Sequence, residues 1–114
     1  MANKLFGINP NKTKEQREIG KSGVEAQFVT AVAKCGWKAY KFTSEMNRGV
    51  SDRLVIAPGQ VWFVEIKRKS GELSPLQESF RDRCLMNNLN HFIVYGKDGI
   101  KDFIKEVKKN AQKQ

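Results

Sequence analysis

The sequence predicts one α/β domain, a mixed β-sheet flanked by helices in the order α-β-β-β-α-β-α. Two observations carry this. Apolar residues recur at helical spacing in some stretches and at strand-like spacing in others, with turn residues between them. The chain of 114 residues, 39% apolar, is large enough for one core, and no linker or internal repeat divides it. Residues 1–20 read as a basic, partly flexible N-terminal arm, and residues 21–114 as the domain.

The first helix is expected in "SGVEAQFVTAVAKCG", where Val24, Phe28, Ala31, Val32 and Cys35 share a face. Ser22 suits its N-cap and Gly36 its C-terminal stop. "WKAYKF" alternates as a strand, with Trp37 and Ala39 on one face and Lys38, Tyr40 and Phe42 on the other, and "TSEMNRGVS" is a loop. "DRLVIA" and "VWFVEIKR" are strands around Pro58-Gly59. The second is apolar on both faces, as expected of a central, covered strand. "SPLQESFRDRCLMNNLN" is a helix with Ser74 at the N-cap, Pro75 in the first turn and Gln77 completing a capping box. Leu76, Phe80, Cys84 and Leu85 are its expected buried stripe. "HFIVY" is a strand, "GKDG" a turn, and "IKDFIKEVKKNAQK" a last amphipathic helix.

Composition narrows the function. The formal net charge is +9 and the pI about 9.8, which favours a polyanionic partner. No apolar run is long enough for a transmembrane helix, and the start lacks a signal-peptide core. The expected location is therefore the cytoplasm, with no membrane partner. One histidine, His91, excludes sites built on several histidines, and its place beside "FIVY" suits a structural role. Cys35 and Cys84 are far apart and on apolar helix positions, as reduced core residues would be.

The hairpin holds the informative charges. A two-residue loop at Pro58-Gly59 pairs Ala57 with Gln60, which sets Asp52 directly opposite Glu65; a four-residue loop keeps that register. Opposed residues project from the same face, and Lys67, two residues on, shares it. Two carboxylates and an amine therefore converge. Such a pair repels at neutral pH unless a cation lies between them. All-oxygen donors without histidine or thiolate favour Mg²⁺ or Mn²⁺, and the carbonyl of Ile66 is a further donor. A metal there would make a nucleophile of its water, with Lys67 beside the phosphate. The bland alternative is a simple ion pair of Lys67 with either acid.

"SDRLVI" followed by "FVEIKRKSGELSPLQ", with Glu25 in an upstream helix, resembles the VRR-NUC domain of the PD-(D/E)xK nuclease superfamily, and among its members the stand-alone phage and bacterial type. The resemblance spans roughly residues 20–105. It implies a restriction-endonuclease-like core, with Asp52, Glu65 and the Ile66 carbonyl binding metal and Lys67 as the catalytic lysine. It implies a further metal-binding acid, direct or through water, at Glu25, and a place for Gln77 beside the site. Both also have the spacing of capping boxes, Glu25 with Ser22 and Gln77 with Ser74. The superfamily's proline is Ser51 here.

Arg48, Arg53, Arg68 and Lys69 flank the expected site and either grip DNA phosphates or form a solvated rim. The lysines of the arm and of the last helix, Lys108, Lys109 and Lys113 among them, extend that surface or are solvated. The function expected is a Mg²⁺- or Mn²⁺-dependent, structure-selective DNA endonuclease. The resemblance implies branched DNA, a Holliday junction in particular, cut by a homodimer. The alternatives are a flap- or end-directed nuclease and a non-catalytic basic DNA-binding module.

Overall fold

The computed structural model describes residues 18–42 and 49–112. Its elements are α1 (Lys21–Lys34), β1 (Lys38–Lys41), β2 (Arg53–Ala57), β3 (Gln60–Lys67), α2 (Pro75–Met86), β4 (Asn90–Tyr95) and α3 (Gly96–Gln112), the predicted order. Residues 1–17 of the expected arm, most of the loop before Ser51 with its Arg48, and Lys113 lie outside the described residues.

The strands form one mixed sheet in the order β1-β2-β3-β4. β1 and β3 run antiparallel to β2, and β4 runs parallel to β3. A parallel pair needs a crossover, and α2 supplies it. β3 is central and carries the longest run of buried residues. The hairpin turns on Pro58-Gly59 with Ala57 paired to Gln60. Gly59 takes a φ of +70°, which fits the third position of a type II turn after a proline. That resolves the conflict between proline and the mirror-image turns usual in two-residue hairpins.

One face of the sheet is dry. Ala39, Val55, Ala57, Trp62, Val64, Ile66 and Val94 face Val24, Phe28 and Val32 of α1 and Ile100, Phe103 and Val107 of α3. Phe103 is central, with its ring 5.3 Å from Phe28, 5.6 Å from Trp62 and 5.4 Å from Phe92. Buried Gln60 is satisfied there: it donates to the Val107 carbonyl at 3.0 Å and accepts from the Trp62 indole at 2.8 Å.

Three expectations, two on element ends and one on burial, needed correction. "GKDG" is the first turn of α3 rather than a separate turn. Gly96 makes the reversal itself with a φ of +65°, and Gly99 lies against Val94, where a Cβ would meet backbone at 3.2 Å. These glycines serve close packing. α1 starts at Lys21, and Gly20 caps it without a side-chain bond, so Ser22 is already inside the helix. In α2, Cys84 is buried, but Leu76 and Leu85 are 53% and 54% exposed. α2 packs chiefly over β4 and leaves much of that sheet face open.

The packed body already includes Glu18 and Ile19. Ile19 lies against the core, and Glu18 binds the loop after β3. No helix among the described residues is long and apolar enough to cross a membrane.

Candidate active site

The second face of β3 carries Val61, Phe63, Glu65 and Lys67 in alternation with the core residues. The hairpin register continues to Asp52, which stands across from Glu65 just before β2 begins. Gly49 helps to fix this approach. Its φ is +90°, and a Cβ there would meet the Leu76 backbone at 2.6 Å, so the chain leading to Asp52 lies flat against the start of α2.

The Asp52 carboxylate divides its two oxygens. Oδ2 accepts the Ile66 backbone N–H at 2.8 Å, and Oδ1 accepts from Lys21 Nζ at 3.0 Å. A strand residue turns its N–H and C=O toward the same neighbour, so the Ile66 carbonyl opens on the Asp52 side as well. Glu65 is 2% exposed and shares a hydrogen bond with Asp52. Its Oε2 accepts from Gln77 Nε2 at 2.9 Å and lies 4.0 Å from Lys67 Nζ.

These contacts separate the two acids. Burial pushes the Glu65 carboxyl up to about 8, and the hydrogen bond and charge of Asp52 add to that. Burial also acts on Asp52, but the Ile66 N–H, Glu65 and Lys21 outweigh it and hold Asp52 below its usual range. Without a cation the pair therefore keeps one proton near neutral pH, on Glu65.

Gln77 fills both of the roles open to it. Its Oε1 accepts from the Ser74 N–H at 2.8 Å and its N–H donates to Ser74 Oγ at 3.2 Å, a complete capping box. Using Oε1 for the cap leaves Nε2 to hold Glu65. The cap residue thus also orients the buried Glu65 carboxyl.

Glu25 does not cap α1, and it is not gathered with the acidic pair. Its Oε2 accepts from Arg53 Nε at 2.8 Å and Lys41 Nζ at 3.2 Å. Arg53 neighbours Asp52 in sequence but points to the opposite face, where it is 17% exposed and also reaches the Ala39 carbonyl at 3.4 Å. Among the described residues no three His, Cys, Asp or Glu side chains cluster about one point. Arg68 and Lys69 are exposed in the loop leaving β3, and Arg68 lies 3.7 Å from Glu18.

Three contacts were not foreseen from sequence. Lys21 bonds Asp52. Glu18 accepts from Ser70 N at 2.9 Å and Ser70 Oγ at 2.8 Å. Ser51, fully buried, lies 3.2 Å from His91 Nε2. One lysine among 21 basic residues carries no signal of its own, and the His91 contact depends on β4 lying beside β3.

The donor set fits a hard divalent cation. Its atoms are all oxygen, and a charge of +2 removes the conflict that keeps Glu65 protonated. Mg²⁺ commonly binds through one or two carboxylates and keeps several waters, so two acids suffice.

Comparison with known proteins bears on the family and the fold. No family model matches the chain. It is 38% identical over 79 residues to "Putative nuclease p44" of Acyrthosiphon pisum secondary endosymbiont phage 1, covering 68% of this chain and 83% of that protein. It is also similar to a solved structure described as a "VRR_NUC domain", with a TM-score of 0.69 and 26% identity over 75% of this chain and 94% of that one. The shared fold, the sequence identity and the acid pair on the central hairpin lead to one conclusion: the chain belongs to the VRR-NUC nuclease family.

Proposed function

We propose that this nuclease is a divalent-metal-dependent DNA endonuclease that hydrolyses phosphodiester bonds in branched DNA, a four-way junction foremost. The observation that supports it most is the convergence of Asp52, Glu65, the Ile66 backbone and Lys67 on one face of the hairpin. Asp52, Glu65 and the Ile66 carbonyl would hold Mg²⁺ or Mn²⁺. When bound, the ion would supply a water of lowered pKa and polarise the phosphoryl oxygen.

The protein's own groups do the rest. Gln77 keeps Glu65 turned toward Asp52. Lys67, with its side chain 16% exposed, presents a fixed ammonium to the negative charge that develops on the phosphate. Arg68 and Lys69 project from the adjoining loop toward solvent and take flanking phosphates, with Arg48 as a third cation. Arg53 acts indirectly, by fixing the start of β2 through Glu25. Glu25, held by Arg53 and Lys41, is left off the metal in this reading. A four-way junction needs two symmetric cuts, so the working unit is a homodimer.

Cleavage of labelled four-way junction, linear duplex and flap DNA with Mg²⁺, Mn²⁺ or EDTA tests this, using wild type and Asp52→Asn. Paired symmetric nicks on the junction, lost with EDTA and in the variant, are the expected result. Cutting of flaps or ends instead would retain the metal site and change the substrate. DNA binding with no metal-dependent cutting of any substrate would overturn the nuclease mechanism in favour of a binding module.

A further inference from the structure

We infer that Lys21 is a tethered counter-charge for the acidic pair, a positioning residue that occupies Asp52 in the absence of metal and sets how tightly the site takes a divalent cation. The inference rests on the metal site proposed above and concerns a residue outside its expected ligands.

The geometry is specific. Asp52 Oδ2 is committed to the Ile66 N–H, so Oδ1 is the oxygen left for a cation. Lys21 Nζ sits on that atom at 3.0 Å. Its charge also acts on Glu65, across the pair. Lys67 differs, since it stands 4.0 Å from Glu65 Oε2 and makes no bond to Asp52. The two lysines thus attend different acids, and Lys21 is the one a metal on Oδ1 must displace.

Lys21 is also held in place and free to move. It is the first residue of α1, and the segment before it is fixed to the site's own loop by Glu18, through Ser70 and Arg68. Its side chain is 43% exposed, so it can swing into water without opening the core. A divalent ion at Oδ1 would repel the ammonium and compete for the same lone pairs. Binding of metal therefore carries the cost of breaking one ion pair, and the released ammonium stays beside the site.

Calorimetric titration of the full chain with Mn²⁺ tests this without DNA or turnover. Wild type, Lys21→Met, Lys21→Arg and Asp52→Asn are compared, each also melted with and without Mn²⁺. Lys21→Met should bind Mn²⁺ about 1.4- to 5-fold more tightly, the range that loss of a part-exposed ion pair converts to. Lys21→Arg should restore wild-type affinity. Lys21→Met should melt lower than wild type without metal, and saturating Mn²⁺ should close that gap. If wild type binds Mn²⁺ and Asp52→Asn does not, yet Lys21→Met binds with unchanged or weaker affinity, Lys21 has no such role while the metal site stands. Absence of Mn²⁺ binding by folded wild type would remove the site itself, and this inference with it.

Discussion

The two faces of the central sheet are built on opposite terms, and β3 belongs to both. Trp62, Val64 and Ile66 point into the apolar layer under α1 and α3. Phe63, Glu65 and Lys67 point the other way, to a face that α2 covers in part and where Ile56 and Val61 are 46% and 47% exposed. The first face supplies stability. The second holds a buried, protonated carboxyl beside an ionised one, an arrangement a stability-driven face would not keep. The rigid face makes the costly one possible, because the backbone that anchors Asp52 is that of Ile66, whose side chain is fully buried in the core.

The contrast can be broken from either side. On the apolar face, Phe103→Ala removes the centre of the aromatic cluster and should cost about 3–5 kcal/mol in urea unfolding. The folded fraction should bind metal as before. On the polar face, Lys67→Ala should lower kcat by about 10²–10³-fold with little change in melting temperature. A large loss of stability in that variant would make Lys67 structural. Gln77→Ala should lower metal affinity or activity by about 10–100-fold, because it frees Glu65, and should also weaken the start of α2. Gln77→Glu would separate the two roles: it retains the capping oxygen but presents a charge to Glu65, so helix stability should survive and metal-free stability should not.

Two further effects are in pH. Glu65, raised to about 8 from 4.5, holds a proton in the folded state that the unfolded chain releases. Its contribution to stability is complete below about 4.5 and is lost as pH rises toward 8. In EDTA the melting temperature should fall across that window, and Glu65→Gln should flatten the fall. A flat wild-type profile would contradict the shared proton. His91 has the opposite sign. Burial, then the charge of Arg81, lowers it to about 4 from 6.5, so its contribution is lost as pH falls from 6.5 through 4. His91→Gln should remove that acid-side slope.

Much of this was legible in the sequence because it followed from periodicity. Alternation in "VWFVEIK" and the Pro58-Gly59 turn fixed the register, and the register set Asp52 against Glu65. What escaped had physical reasons. Spacing cannot tell a cap from a site contact, and Gln77 is both. Ser22 and Glu25 have capping-box spacing, but the cap is Gly20, two residues earlier, so Glu25 turns to Arg53. Gly96 and Gly99 read as a turn, although their use is close approach of α3 to β4 and its neighbouring loop. Leu76 and Leu85 lie on an apolar stripe, but a stripe does not say how much sheet lies beneath it. Lys21 and Glu18 act over long sequence separations, which no local pattern records.

The most direct test of the central claim is the location of the metal. Crystals of the protein soaked in Mn²⁺ and measured at its anomalous edge would show it. The expected result is a peak in contact with Asp52, Glu65 and the Ile66 carbonyl, with Lys21 swung away from Asp52. A peak at Glu25 alone, or no ordered Mn²⁺ while Lys21 remains on Asp52 at saturating metal, would contradict it.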